Sequence, residues 1–345
     1  MTININRPKI TYGSVSLLKG GANSYSNASN NASTIKLVPL VQDFSFSFDT
    51  NTEDVLTLGE KFYSKRVNRY DVDVNLDISI VETFEDMFSG FFGANELLQD
   101  LNKDVSFYFV VGKKNNSDNF SDANETINFG NAFIESFSMS QSKNELLSSK
   151  YSYSCSNVNA EELVSNNVSN PAIDLAGTQL QNLTSTLPNL QTILDTQSNL
   201  QDKTYAAHKT NVSISGVKSE DIFLVKPNMI QDFNLTIPFK RKKIFTIGKK
   251  YPMQRKFMPG SEGSISISCL TSEFVVNGND SNLKKFLNED DSYVIDFEFE
   301  SEGSQSKHFR VSGAKLKSNS NSISLSENLN SSFSFDFDPF EFKKV

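Results

Sequence analysis

Phe44-Ser45-Phe46-Ser47-Phe48 places an apolar side chain at every second position, and this period of two recurs along the chain. Residues 72–78, 106–110 and 151–155 alternate in the same way, and so do 235–239, 264–270, 293–299 and 333–337. Successive side chains of an extended strand point to opposite faces. Such runs therefore predict strands with one face in a core and the other in a polar setting. Helical spacing is confined to short stretches. Residues 95–103 put Leu97 and Leu101 on one face, and residues 281–288 do the same with Leu283 and Leu287, with Ser281 as a cap. A further helix is expected over residues 189–203, just after Pro188. The expected fold class is all-β, mainly strands with one short helix per unit.

The alternation occurs twice in the same order. Val41-Gln42-Asp43-Phe44 recurs as Ile230-Gln231-Asp232-Phe233, and the match runs on to Gly59 and Gly248, with Arg66 answering Arg255, at an offset of 189 residues. Leu97, Leu101, Asn102 and Asp104 align with Leu283, Leu287, Asn288 and Asp290 at an offset of 186. Ala132, Ile134, Glu145, Leu147 and Tyr151 align with Ala314, Leu316, Glu327, Leu329 and Phe333 at 182. Collinear blocks with slowly falling offsets describe a tandem duplication trimmed by short loop deletions. The organisation expected is a first domain at 1–158 with an N-terminal arm, a linker at 159–209 and a second domain at 210–345. Within the arm, residues 9–18 read as a strand matching 210–216, and the Gly/Ala/Asn/Ser stretch 20–33 reads as a flexible loop.

Composition changes the picture in a few respects. The chain has 29 phenylalanines and no tryptophan, with Ser and Asn crowding the loops, which suits pleated, half-buried surfaces joined by polar turns. The net charge of −8 is unevenly shared. Residues 41–158 carry 19 acidic and 9 basic side chains, whereas residues 230–345 carry 15 acidic and 16 basic ones. An acidic chain without a basic, aromatic-interleaved stripe is a poor holder of nucleic acid, but suits a surface that nucleic acid passes without sticking. No apolar run reaches membrane-crossing length and the N-terminus lacks a signal-peptide pattern, so a soluble protein is expected.

Chemistry-bearing motifs are sparse. Cys155 and Cys269 sit in alternating segments and read as small buried hydrophobes. His208 and His308 have no metal-ligand spacing, and the acidic clusters at 289–291 and 336–338 read as solvated faces. Neither a phosphate-binding glycine loop nor a nucleophile elbow occurs. No catalytic residue, metal ligand or cofactor is assigned, and an enzyme is not expected.

The repeated series is an alternating strand (43–48), a short turn, a strand ending in glycine (55–59) and a basic stretch holding an arginine (61–69). A second alternating strand (72–80), a short helix and closing strands follow. The second copy runs from Asp232 through Gly248, Arg255 and Ile265 to Phe337. This series resembles the tail tube protein of tailed bacteriophages. The resemblance implies two tandem tail-tube-like β-sandwich or half-barrel domains whose sheets join edge to edge into rings. Stacked rings would form the hollow channel that delivers the genome. A fused pair implies a homotrimeric ring with pseudo-sixfold symmetry, part of a virion tail assembled in the host cytoplasm. Its partners would be its own copies, tip or baseplate, terminator and sheath proteins, and DNA in transit, with no membrane. A tail-tip hub or tube initiator of the same fold is one alternative. A tandem carbohydrate-binding module is another, although such modules commonly expose Trp for sugar stacking.

Three groups of residues follow as candidate sites. Asp71, Asp73, Asn75 and Asp77 share one strand face, which would be either a weakly negative lumen wall or an outward solvated surface. Lys61, Lys65, Arg66 and Arg69, with Lys249, Lys250, Arg255 and Lys256 in the second copy, lie on the long segments that the resemblance assigns to contacts between rings. Asp49, Glu53 and Asp54 form an expected acidic turn, matched by the basic Lys240, Arg241, Lys242 and Lys243. Opposite charges there would set register between copies, or else form two independent solvated turns.

Overall fold

Period-two runs become strands in the computed structural model, which describes residues 12–19, 36–38, 40–55, 65–83, 104–113, 123–162, 167–169, 171–172, 184–186, 204–216, 219–225, 230–244, 247, 254–270, 292–301, 306–322 and 330–345. In the first part of the chain the strands are β1 Tyr12–Lys19, β2 Lys36–Val38, β3 Val41–Val55, β4 Lys65–Val81, β5 Val105–Lys113, β6 Ala123–Ser142, β7 Ser148–Cys155 and β8 Asn157–Glu162. Two short strands follow, β9 Asn167–Ser169 and β10 Thr184–Thr186. The second part holds β11 Tyr205–Gly216, β12 Ser219–Val225, β13 Ile230–Pro238, β14 Arg241–Ile244, β15 Gln254–Phe257 and β16 Gly263–Leu270. It closes with β17 Tyr293–Ser301, β18 Ser306–Ser322, β19 Asn330–Phe337 and β20 Phe342–Lys344. Among the described residues the sole helical element is a 3-10 turn, Pro339–Glu341, whose N-terminal amide at Phe340 is capped by the Asp338 carboxylate. The helices expected over 95–103, 189–203 and 281–288, and the loop 20–33, lie outside the described residues.

One antiparallel sheet of eight strands organises the rest, in the order β3-β4-β7-β6-β13-β16-β19-β18. Two of its members, β6 and β18, are long enough to turn a corner and enter a second sheet. The first half of β6 pairs with β5 and β8, and β5 continues to β1 and β2. The first half of β18 pairs with β17 and β20, and β17 continues to β11 and β12. The corners are taken by Asn131 (φ 48°) and Gly313 (φ 72°), which stand 182 residues apart. Left-handed backbone costs a residue with a bulky side chain about 1–2 kcal/mol, and Gly and Asn are the types that adopt it most readily.

The repeat seen in the sequence reappears as strand register. The β3–β4 ladder slips between Val41 and Asp43, and the β13–β16 ladder slips between Ile230 and Asp232. The β6–β7 ladder slips between Ile134 and Ser136, and β18–β19 between Leu316 and Ser318. The β5–β6 ladder slips between Val105 and Phe107, and β17–β18 between Tyr293 and Ile295. Each bulge bends its strand and strengthens the local twist, so matched bulges give the two sets matched curvature.

Alternation decides which side of the sheet is dry. Val74, Leu76 and Ile78 of β4, Ile265 and Ile267 of β16, and Phe333, Phe335 and Phe337 of β19 are all buried against the corner-turning sheets. Each such side chain contributes about 1.5–3 kcal/mol over leaving it in water. The opposite face carries hydroxyls and amides in cross-strand rows. One row reads Ser148, Ser140, Asn234, Ser266, Ser334 and Ser318, all directly opposite their neighbours.

The expected acidic turn takes another form. Asp49, Glu53 and Asp54 lie inside the continuous strand β3, opposite Asp73, Val67 and Arg66 of β4. Period-two alternation stops at Phe48, but a bulge between Thr50 and Thr52 lets the ladder continue past it. Lys65 and Arg69 are likewise in β4 rather than in a loop, and β14 holds Arg241, Lys242 and Lys243.

Replacing Gly313 by Val forces a β-branched residue into left-handed backbone, so the variant should lose about 1–2 kcal/mol in urea unfolding. Gly313→Asn installs the residue found at the matching corner and should cost less than half of that. Equal losses for the two variants would remove the conformational explanation.

Candidate functional site

The two repeats meet where β13 pairs with the second half of β6, from Asp232 opposite Ser142 to Pro238 opposite Ser136. Closing that ladder buries Leu235 and Ile237 completely, and leaves Phe233 only 3 % exposed. Two arginines of the adjoining β14–β15 hairpin lock it. Arg241 donates from Nε to the Ile134 carbonyl at 2.9 Å, and its guanidinium lies 5.2 Å from the centre of the Phe133 ring. Arg255 is buried. It donates to the Ser154 hydroxyl, to the Cys155 carbonyl at 3.0 Å and to Ser156 Oγ at 3.2 Å, and sits 5.7 Å from the same ring. A planar, five-donor fork satisfies several fixed acceptors at once, which a lysine in this place does not. Burial lowers the pKa of Arg241 to about 10; the Glu135 carboxylate opposes that shift and the Arg255 charge adds to it.

A second contact between the repeats is also polar and buried. Lys307 of β18 donates to the Thr83 carbonyl at 2.7 Å, lies 3.6 Å from a Glu82 carboxylate oxygen and stands 5.8 Å from the centre of the Tyr205 ring. Tyr151 donates to the other Glu82 oxygen at 3.0 Å.

Beside the β6 corner, the Asn131 side-chain amide donates to Asp104 Oδ2 at 2.6 Å. Burial pushes the Asp104 carboxyl up to about 6; the hydrogen bonds from Asn131 and from its own backbone, and then the Arg255 charge, pull it partway back. The group is thus more easily protonated in the folded chain than in the unfolded one.

The ends of the eight-stranded sheet differ from its middle. Among the described residues β3 pairs with β4 alone, and residues 315–322 of β18 pair with β19 alone. β3 stands 189 residues before β13, the strand that docks on β6. The 315–322 segment stands 182 residues after the part of β6 that receives it. Both edges therefore match the two halves of the internal joint. Their burial differs accordingly. Phe46 and Phe48, which correspond to Leu235 and Ile237, are 40 % and 60 % exposed. Phe46 packs edge-on against Phe129 at 5.3 Å, and Phe44 stacks on Phe109 at 4.3 Å, so this face turns toward the core but lacks a cover.

Of the residues singled out in the sequence, Asn75 and Asp77 lie on the polar face of β4, and Asp77 pairs with Lys150 at 3.1 Å. In the ladder Asp73 stands opposite Asp49, and Asp71 comes two residues earlier in β4. Lys65, Arg66 and Arg69 are in the first part of the same strand. Lys256 and Lys242 are exposed, Lys243 is half-buried and Lys240 is exposed at the approach to β14. Arg255 is no free loop residue: β15 carries it into the joint within the chain. Lys61, Lys249 and Lys250 lie outside the described residues. Phe46 and Phe48 were legible as alternating strand positions, but their exposure was not. Its only signal was that the strand has a duplicate whose partner precedes it in the chain.

The Asp104 pKa sets a pH dependence. Its contribution to stability is fully present below pH 3.8 and is lost as the pH rises through about 6, where the buried carboxyl must ionise. The loss amounts to about 3 kcal/mol at most. Asp104→Asn keeps an acceptor for Asn131 without the charge. Its stability relative to the wild type should rise between pH 4 and 7 in denaturant titrations, and a pH-independent difference would contradict the assignment.

No protein-family model matches the chain, and no curated protein matches it in sequence.

Proposed function

We propose that this chain is a structural protein of a bacteriophage tail, one that joins its own copies head to tail into rings that stack as a tube. The observation that carries this reading is the pair of open sheet edges matching the two halves of a joint already made inside the chain. An open, apolar edge strand is a template for further pairing, and proteins protect such edges unless pairing is their purpose. β3 of one copy, set on β18 of the next in the register of the internal joint, would place Ser45 opposite Ser322, Ser47 opposite Ser320 and Asp49 opposite Ser318. The same step would cover Phe46 and Phe48 as Leu235 and Ile237 are covered. Repetition of one heterologous contact generates a closed ring when the rotation closes. Each chain supplies two near-equivalent four-strand segments, so three chains would make a ring of pseudo-sixfold symmetry.

The polar face supports the channel part of the reading. Rows of Ser, Asn and Thr, with Asp77 already neutralised by Lys150, offer phosphates few cations to bind. DNA retention depends on Lys and Arg contacts that displace counterions, and such a wall supplies few. The role is structural, with no chemistry asked of the side chains.

Negative-stain electron microscopy over a concentration series tests this. Hollow tubes or stacked rings with nearly six-fold averages are expected; unstacked rings would point to a tail-tip hub, and monomers at every concentration would overturn the reading. Phe48→Asp puts a charge where the joint would be dry. It should hold the protein monomeric in sedimentation velocity while leaving the far-ultraviolet β signature unchanged, because Phe48 is 60 % exposed in the single chain.

A further inference from the structure

We propose that the joint between copies carries the reverse charge arrangement of the joint inside the chain, and that this reversal dictates the order in which edges pair; the inference rests on the head-to-tail reading above. Inside the chain a basic arm meets an acidic receiver. The arm is β14, with Arg241, Lys242 and Lys243, and the receiver is the stretch of β6 holding Phe133, Ile134 and Glu135. Arg241 bonds to the Ile134 carbonyl, and the Glu135 charge acts on it directly.

The repeat offsets carry both parts to the open edges. Arg241, Lys242 and Lys243 fall on Thr52, Glu53 and Asp54 of β3, and the ladders agree: Lys243 lies opposite Arg255, and Asp54 opposite Arg66. Phe133, Ile134 and Glu135 fall on Lys315, Leu316 and Lys317 of β18, where both lysines are exposed. The arm has become acidic and its receiver basic. Neither change is complementary without the other.

The buried arginine follows the same logic. Arg255 corresponds to Arg66, while its acceptors Ser154, Cys155 and Ser156 correspond to Asp336, Phe337 and Asp338. A guanidinium held at the internal joint by two hydroxyls and a carbonyl would meet two carboxylates at the joint between copies. Asp338 is exposed, and Asp336 is held 2.9 Å from Lys317. Arginine and carboxylate make stronger, more directional bonds than arginine and hydroxyl.

The reversal excludes the wrong pairings. A basic β14 arm brought to β18 would face Lys315 and Lys317, and an acidic β3 arm brought to β6 would face Glu135. Like charges opposed across an interface reject the wrong partner, while opposite ones speed the right encounter. Copies are thereby directed to add β3 onto β18, and not to open the internal joint and exchange halves.

Two full-length variants test this, and three of their four changes install the residue found at the matched position of the other repeat. Glu53→Lys with Asp54→Lys makes the β3 arm basic, and Lys315→Glu with Lys317→Glu makes the receiver acidic. Sedimentation velocity at low salt, with electron microscopy alongside, should show each variant alone weakened in self-association by about tenfold or more relative to the wild type. An equimolar mixture should regain association as mixed pairs, although a ring of three chains would keep one mismatched joint, and a chain carrying all four changes should close rings again. Recovery in the mixture excludes misfolding as the cause of the loss. If the wild type assembles and both variants assemble equally well, the charge inference fails and the head-to-tail reading stands. If the variants are weakened but neither the mixture nor the fourfold variant recovers, the inference also fails. A wild type that never assembles overturns both.

Discussion

Backbone groups at a sheet edge must be paired, solvated or covered, and that single requirement shapes this molecule. The ladder between β13 and β6 meets it in the middle of the eight-stranded sheet. Seven paired residue positions, from Asp232–Ser142 to Pro238–Ser136, turn two repeats into one continuous surface. Everything that distinguishes the repeats in burial follows from it. Leu235 and Ile237 are sealed with β6 beside them; Phe46 and Phe48 are open where, among the described residues, β3 has β4 on one side and no strand on the other. The same chemistry, in the same register, has two fates.

Contacts between the repeats also bury cations. Arg255 is buried with its guanidinium bonded to Ser154, Cys155 and Ser156, and Lys307 is buried against Thr83 and Glu82. A buried cation without such partners would be strongly destabilising, whereas a paired one adds little net stability. The apolar interior supplies the stability. Phe297, Phe299, Phe333 and Phe335, all buried, belong to a cluster that also takes in Val74, Leu76 and Ile78 of the first repeat. The bulges and the two left-handed corners set the curvature on which both the interior and the open edges depend.

A sheet that is apolar on one side and hydroxyl-rich on the other is well matched to a closed wall. Closure would remove the edges, hide Phe46 and Phe48, and leave Ser and Asn rows facing the enclosed space. The divergence between the repeats then acquires a physical purpose. Duplicates that had kept identical arms and receivers would pair indiscriminately within and between chains. Opposed charge patterns on the internal joint and on a joint between copies would give each edge a single preferred partner.

Much of this was legible in the residues. Phe44-Ser45-Phe46-Ser47-Phe48, Phe333-Ser334-Phe335 and their like announced strands with one dry face, because side-chain direction in extended backbone depends on position alone. The offsets of 189 and 182 announced a duplication, and they reappear in the bulges at Asp43 and Asp232 and the corners at Asn131 and Gly313. Local pattern said less about where the strands end, so an expected turn at Asp49, Glu53 and Asp54 proved to be the continuation of β3. It said nothing about neighbours. That β13 docks on β6, that Arg255 is buried in the first repeat and that Phe48 is exposed all depend on contacts between segments a hundred residues apart. Period and composition constrain which face of a strand is buried. Which strand lies beside it is decided by the free energy of the whole sheet, and that exists only once the chain has folded.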